Sequence, residues 1–331
     1  MSRELSAALH SPSWYRGAND VRKSLCFGSF NFDMVAGWIA FRYRESLVAC
    51  GSMTSAGGKG ANQATAALKA GANVHYIGKI GNDTFGHFAR CHLKGVGFNA
   101  VTLLVAEEIP TGNALIYVAG NDAENMIAVD PGANMTVTDD EIAGCIPAIG
   151  CADVVLVQLE NNLSAIEQVI DAGKQAGALV ILNPAPWQPV EHALLRKVDL
   201  LTPNATEAGL MTGRRVDSLT AAAEAADVLH AQGARNVIIT LGASGALLSE
   251  HGVKSRVPCF PSHPRDTTGA GDAFNGALAA RLACGEPLQA AARFAAAYAA
   301  VSVEKQGASS LPEYLEAQER LLRAAADYEM A

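Results

Sequence analysis

The sequence predicts an α/β protein with a mainly parallel central sheet, helices on both faces and a small β-sheet lid. Three observations lead there. Short apolar runs alternate with helix-period segments from residue 153 onward, the pattern of parallel strands joined by helical crossovers. Two strand-rich stretches without helical period, about 34–55 and 113–129, interrupt the first half and read as one small sheet forming the lid. Polar residues recur where strands should end, at Asn31, Asp33, Glu160, Asn183, Asn204, Glu207 and Thr240. On one parallel sheet these ends share an edge, and such edges bind ligands.

Composition sets the outer bounds. At 331 residues with 50% hydrophobic and 18% charged content, the chain can bury a large core. A net charge of −8 argues against a nucleic-acid partner, and no apolar run approaches the length that spans a bilayer. Seven scattered cysteines with no C-x-x-C spacing suit buried thiols in a reducing cytoplasm better than disulfides or zinc. Residues 1–23 lack the apolar core of a signal peptide and read as a flexible extension before a single domain over 24–331.

In chain order, SLCFGSF (24–30) is a buried first strand ending in the polar Asn31-Phe32-Asp33. The lid pieces follow, the second pair of them (113–118 and 125–129) joined by the hairpin signal AGND. Between the lid pieces, AGGKGANQ (56–63) opens a helix through Ala70, then come a strand over 74–80 and a helix over 87–94. Strands at 154–157, 179–182, 200–202 and 236–241 alternate with helices at 163–175, after Glu207 and at 221–231. Helices after Gly269, from Leu288 and after Pro312 complete the fold.

Two glycine loops carry the chemistry. DTTGAGDAFNG (266–276) runs from a Pro-rich turn into a helix, which puts unpaired backbone N–H groups where an anion can approach. Asp272 places a carboxylate in that first turn. Taken alone, the stretch serves equally well as a turn with a dipole-complementing acid. Gly57-Gly58-Lys59-Gly60 is not a P-loop, since G-x-x-x-x-G-K-[ST] is absent, yet it brings backbone amides, Lys59 and Asn62 to a second helix start.

With GSFNFD (28–33), GGKGANQA (57–64), QLE (158–160), NPAP (183–186), TPNATE (202–207), TLGASG (240–245) and DTTGAGD (266–272) in this order, the chain resembles the ribokinase-like (phosphofructokinase-B type) carbohydrate kinases over roughly residues 24–312. The resemblance implies an ATP-dependent sugar kinase, and the GGKGANQ run leans toward D-ribose, phosphorylated at its primary hydroxyl. It implies Asp272 as general base and the Gly269, Ala270 and Gly271 amides as the anion hole. Asn31, Asp33, Gly58, Lys59, Asn62 and Glu160 would hold sugar hydroxyls. Asn204 and the loop Thr240, Gly242, Ala243, Ser244 and Gly245, with Gly271, would hold nucleotide. Glu207 would organise Mg²⁺ through water, and Asp266, Thr268, Ser302, Lys305, Gly307 and Ser310 would hold a monovalent cation, K⁺ in most of the family. A cytoplasmic homodimer paired through the lid is expected.

Two departures from the family pattern stand out. The lid segment Phe41-Arg42-Tyr43-Arg44-Glu45-Ser46 lacks the usual prolines and glycine, and Ala296 stands where a His or Asn near adenine is common. They keep a nucleoside or other sugar kinase open as the alternative. A dinucleotide-binding dehydrogenase is disfavoured because no G-x-G-x-x-G follows a strand. A non-catalytic sugar-binding protein is disfavoured by the retained Asp272, glycine loop and Glu207.

Overall fold

In the computed structural model, residues 23–38, 49–119 and 125–329 are described. The extension at 1–22 and the lid segment Phe41 to Ser46 lie outside them. Lys23, grouped above with the extension, opens the first strand.

The main sheet has nine strands: β1 (Lys23–Phe27), β4 (Asn73–Gly81), β5 (Ala100–Ala106), β8 (Val154–Val157), β9 (Leu179–Leu182), β10 (Leu200–Leu201), β11 (Asn236–Thr240), β12 (Ala246–Glu250) and β13 (Val253–Val257). Their order is β13-β12-β11-β10-β9-β8-β1-β4-β5. Every pairing from β11 to β5 is parallel. Strands such as Val154–Val157 are buried along their whole length, as a sheet covered on both faces requires. β12 and β13 add an antiparallel edge that the sequence reading left out. They meet at His251-Gly252, where both residues have positive φ, the two-residue turn whose twist matches a hairpin.

Helices cover both faces. On one side α1 (Lys59–Lys69), α8 (Ala270–Ala283) and α9 (Leu288–Ser302) pack through alanines into a core with Tyr76, Leu156, Phe274 and Tyr298. On the other, α3 (Asp139–Ile149), α4 (Leu163–Gln175) and α7 (Leu219–Ala231) enclose Phe27, Val155, Ile166 and Leu229. Smaller helices are α2 (Thr84–Val96), α5 (His192–Lys197) and α6 (Ala205–Thr212), and α10 (Tyr314–Glu329) packs on α9. β5 and α3 were also absent from the sequence reading.

The lid is a separate sheet of β2 (Asn31–Trp38), β3 (Gly51–Gly57), β6 (Asn113–Ala119) and β7 (Asn125–Asp130), ordered β3-β2-β6-β7. β2 and β6 run parallel, and the outer pairs are antiparallel. Asn31 and Asp33 were expected at the carboxyl end of the first strand. That strand stops at Phe27, and the two residues open the lid strand β2 instead, because the chain turns at Gly28 and pairs Asn31 with Gly57. Met126 and Ile127 are adjacent on β7 and both more than half exposed. Successive strand residues face opposite ways, so the lid's edge is bare on both faces. Among the described residues, no helix is long and apolar enough to cross a membrane.

Candidate active site

The residues expected to hold a sugar gather where β1 hands over to the lid. Asn31 is buried, and its Oδ1 accepts a hydrogen bond from Asn134 Nδ2 at 2.9 Å. Asn134 also accepts from the Phe30 amide and donates to the Phe30 carbonyl, so one side chain orients the whole turn. Asp33 lies against the backbone of Gly57, where a Cβ would fall 2.1 Å from Asp33 Oδ2. That contact explains the glycine on steric grounds alone. Burial, with the neighbouring Glu160 carboxylate, pushes Asp33 up to about 7. Glu160 Oε2 accepts from the Lys59 amide at 2.8 Å and from Ser29 Oγ. Burial raises Glu160 as well, with Lys59 working against it.

The expected anion turn begins at Gly269, whose φ of 76° leads into α8. Its Cβ would lie 2.9 Å from Ala308, so the left-handed turn and the tight packing both select glycine. Gly271 is exposed at the helix mouth, whereas Asp272 is buried beneath it. The Asp272 carboxylate accepts from Gln63 Nε2 at 2.9 Å and Asn62 Nδ2 at 3.3 Å, and Lys59 Nζ stands 4.0 Å away. The Asp272 charge raises the Lys59 pKa, burial opposes it, and Glu160 and Glu207 add to the rise. Lys59 therefore sits within the electrostatic reach of three carboxylates. Of the three expected anion-hole amides, Ala270 N–H donates to the Thr267 carbonyl at 3.2 Å, so it is committed to the turn.

Asn204 and Glu207 form a reciprocal cap on α6. The Asn204 side chain accepts from the Glu207 amide and Glu207 Oε2 accepts from the Asn204 amide, each at 2.8 Å. Burial raises the Glu207 pKa, the Asn204 amide works against that, and the charges of Lys59 and Asp272 both reach it. Thr240 pairs with Asn204 across β11 and donates its amide to Pro203. The tight turn Gly242–Ser244 after it is open to solvent, with Ala243 and Ser244 exposed and Gly245 at φ 89°. Ala296, on α9, packs against the core.

Asp266 Oδ1 accepts from the Thr268 amide and Oδ2 from the Gly307 amide, both at 2.9 Å. Against the cost of burial, these bonds hold its carboxyl below the ordinary value. Ser302 donates its hydroxyl to Ala299, and the Lys305 ammonium pairs with Glu316. Ser310 closes the loop by donating its amide to the Gly307 carbonyl. The loop groups carboxylate, hydroxyl and carbonyl oxygens, the hard ligand type an alkali cation takes, with the Lys305 ammonium paired to Glu316. A single carboxylate at Glu207 fits Mg²⁺ carried mainly by phosphate oxygens and water. Among the described residues, no three His, Cys, Asp or Glu side chains converge as a metal cage.

Gln63 and Ser29 stand within the motifs, which assign neither a role, and Asn134 lies outside them. Gln63 lies one helical turn after Lys59 and so on its face of α1, a signal that was there to use. Nothing local marks Asn134, whose partner Phe30 is 104 residues away.

The profile of the pfkB family carbohydrate kinases matches residues 21–314. A ribokinase of Haemophilus influenzae is 38% identical over 295 residues, covering 88% of this chain and 96% of the relative. A deoxyribokinase of Salmonella typhi is 34% identical, covering 80% of this chain and 87% of its own. The structure of Arabidopsis thaliana ribokinase complexed with ribose and ATP superposes with a TM-score of 0.83 at 31% identity, over 91% of this chain and 98% of that one. Sequence and fold agree over the same span: the chain belongs to the pfkB family of carbohydrate kinases, phosphotransferases with an alcohol group as acceptor.

Proposed function

We propose that this protein is an ATP-dependent ribokinase that transfers the γ-phosphate of ATP to the primary hydroxyl of D-ribose, giving D-ribose 5-phosphate. The observation that carries the reading is the buried Asp272 carboxylate beneath an open glycine turn, with Lys59 4.0 Å from it. Asn31, Asp33, Gly58, Asn62 and Glu160 hold the sugar hydroxyls, and the Asn31 side chain enters that task already oriented by Asn134. Asp272 accepts the proton of the primary hydroxyl as that oxygen attacks the γ-phosphorus. The Gly271 amide at the start of α8, with the Gly269–Gly271 turn, receives the charge that builds on the transferring phosphoryl group, and Lys59 adds a cation beside it. Asn204, Thr240 and the 242–245 turn seat the nucleotide.

Glu207 would hold Mg²⁺ through water, and the ion supplies charge neutralisation on the phosphates. The oxygens of Asp266, Thr268, Ser302, Lys305, Gly307 and Ser310 would hold K⁺ behind the anion turn. Bare apolar surface at Met53, Leu115, Met126, Ile127 and Val129 supports a homodimer through the lid. All seven cysteines are thiols, which suits a cytoplasmic protein. Only Cys26 and Cys145 are buried, so the expectation of buried thiols fails for the other five, which lie in surface turns and on outer helix faces.

The test of mechanism is Asp272→Asn, expected to lower kcat roughly 10²–10⁴-fold while sugar and nucleotide still bind. Near-normal turnover would refute the assignment. The test of substrate is a panel of ribose, deoxyribose, fructose, tagatose and nucleosides with ATP; ribose among the poor substrates would sink the first reading. The second reading, a deoxyribose or nucleoside kinase, draws on the unusual 41–46 segment and the deoxyribokinase likeness.

A further inference from the structure

Beneath Asp272 runs a chain of buried side chains that no step above uses. Gln63 is fully buried, and its Nε2 donates both to Asp272 Oδ1 and to Asn183 Oδ1, each at 2.9 Å. Its Oε1 accepts from Gln158 Nε2 at 2.8 Å. Asn183 donates to the Thr202 carbonyl at 2.9 Å, and Thr202 Oγ1 donates to Asn275 Oδ1 at 2.5 Å. Asn275 Nδ2 then donates to the Gly271 carbonyl at 2.9 Å. The chain thus leaves one end of the catalytic turn at the Asp272 carboxylate and returns to the same turn at the Gly271 carbonyl. Gln158, Asn183 and Thr202 follow directly on β8, β9 and β10, while Gln63 and Asn275 come from α1 and α8.

The polarity of these bonds leaves each amide one orientation. Turning Gln63 over would set its oxygen against the Asp272 and Asn183 oxygens and its NH₂ against that of Gln158. Turning Asn275 over would set oxygen on the Gly271 carbonyl. In a dry interior each such mismatch leaves polar groups unpaired. The Gly271 carbonyl and the Asp272 amide belong to one rigid peptide plane, so holding that oxygen also aims the Asp272 N–H. At Gly276, one turn further along α8, a Cβ would come within 2.3 Å of the Gln63 carbonyl, so the two helices are in backbone contact beside the network.

We propose that Gln63, Asn183, Thr202 and Asn275 are positioning residues that fix the Asp272 carboxylate and the Gly271–Asp272 peptide relative to each other, without touching sugar or nucleotide. The inference rests on the reading of Asp272 as the base. Its signature is a fall in kcat with little change in KM, because the network sets the geometry of the reacting step and not the fit of either substrate.

The experiment compares Gln63→Met, Thr202→Val and Thr202→Ser with the full-length enzyme, with melting temperature measured beside kcat and both KM values. Gln63→Met keeps length and apolar bulk and should lower kcat roughly 10–100-fold, the scale of a misplacement of about 1 Å. The KM values for D-ribose and ATP should stay within about twofold. Thr202→Val is isosteric but leaves Asn275 Oδ1 without its donor; it should lower kcat roughly 3–10-fold, and Thr202→Ser, which keeps the hydroxyl, should restore it. A folded Gln63→Met enzyme with kcat within about twofold of the parent, or with its loss in KM alone, overturns the proposal. If Gln63→Met does not fold, the Thr202 pair decides, and equal kcat in the two variants overturns it. Asp272→Asn separates the two ideas. If that variant is nearly inactive while Gln63→Met is normal, only the positioning role falls; if Asp272→Asn turns over normally, the base assignment falls and the positioning role with it.

Discussion

The carboxyl edge of the main sheet and the lid sheet meet at the candidate site but are built in opposite ways. At the edge, Asp272, Gln63 and Asn183 are buried and bonded in a chain, and the buried Asn275 accepts from Thr202. In the lid, Met53, Met126, Ile127 and Val129 are more than half exposed, and among the described residues the sheet has four strands. The first region is a closed part of the core, held by side-chain hydrogen bonds, whereas the lid carries apolar side chains on its surface.

The contrast is sharpest in stability. Leu156, fully buried in the main sheet, should cost about 2–5 kcal/mol on Leu156→Ala, measured by denaturant unfolding. A loss much under 1 kcal/mol would mean that the core is looser than its burial indicates. At the junction of the two regions, Gly57→Ala would drive a methyl into the Asp33 carboxylate. It should raise the sugar KM roughly 10–100-fold with little change in the KM for ATP, a split that steady-state kinetics reads directly.

A smaller effect follows from pH. With Asp33 at about 7, its ionised, accepting form dominates at pH 8 and is scarce at pH 6. The sugar KM should rise up to about tenfold on acidification across that range, and Asp33→Asn should abolish the slope. In stability the sign is reversed. The folded pKa lies above the unfolded value, so Asp33 keeps its proton in the folded state after the unfolded chain has lost it. Its contribution is present below pH 4 and is lost as pH rises toward 7. The smallest effect belongs to the lid: Ile127→Ser should shift the unfolding free energy of the monomer by less than about 0.5 kcal/mol. By light scattering the same change should weaken the proposed dimer, and an unaltered dimer would place the subunit contact elsewhere.

The core was easier to read in the sequence than the site. Val154–Val157, Leu179–Leu182 and Leu163–Gln175 have the bounds their patterns predict, because a strand buried on both faces is an unbroken apolar run. The edge strand β13 was hidden by its mixed pattern, with exposed Lys254 and Arg256, whereas β12 is a short buried run. In the site, glycines and acids at helix starts were legible because their chemistry is local. The partners of Asp272 were not: Gln63 precedes it by 209 residues, and no periodicity links two side chains that meet only when α1 packs on α8. The cap formed by Asn204 and Glu207 shows a further limit, since the same two residues satisfy a helix end whether or not they serve a nucleotide and Mg²⁺.

That long separation between Gln63 and Asp272 also orders events in time. During synthesis every sugar-side residue from Asn31 to Glu160 leaves the ribosome before Asp272 does. Helix α1 therefore waits for α8, and Gln63 for Asp272, until most of the chain has been made, so the core they share closes late.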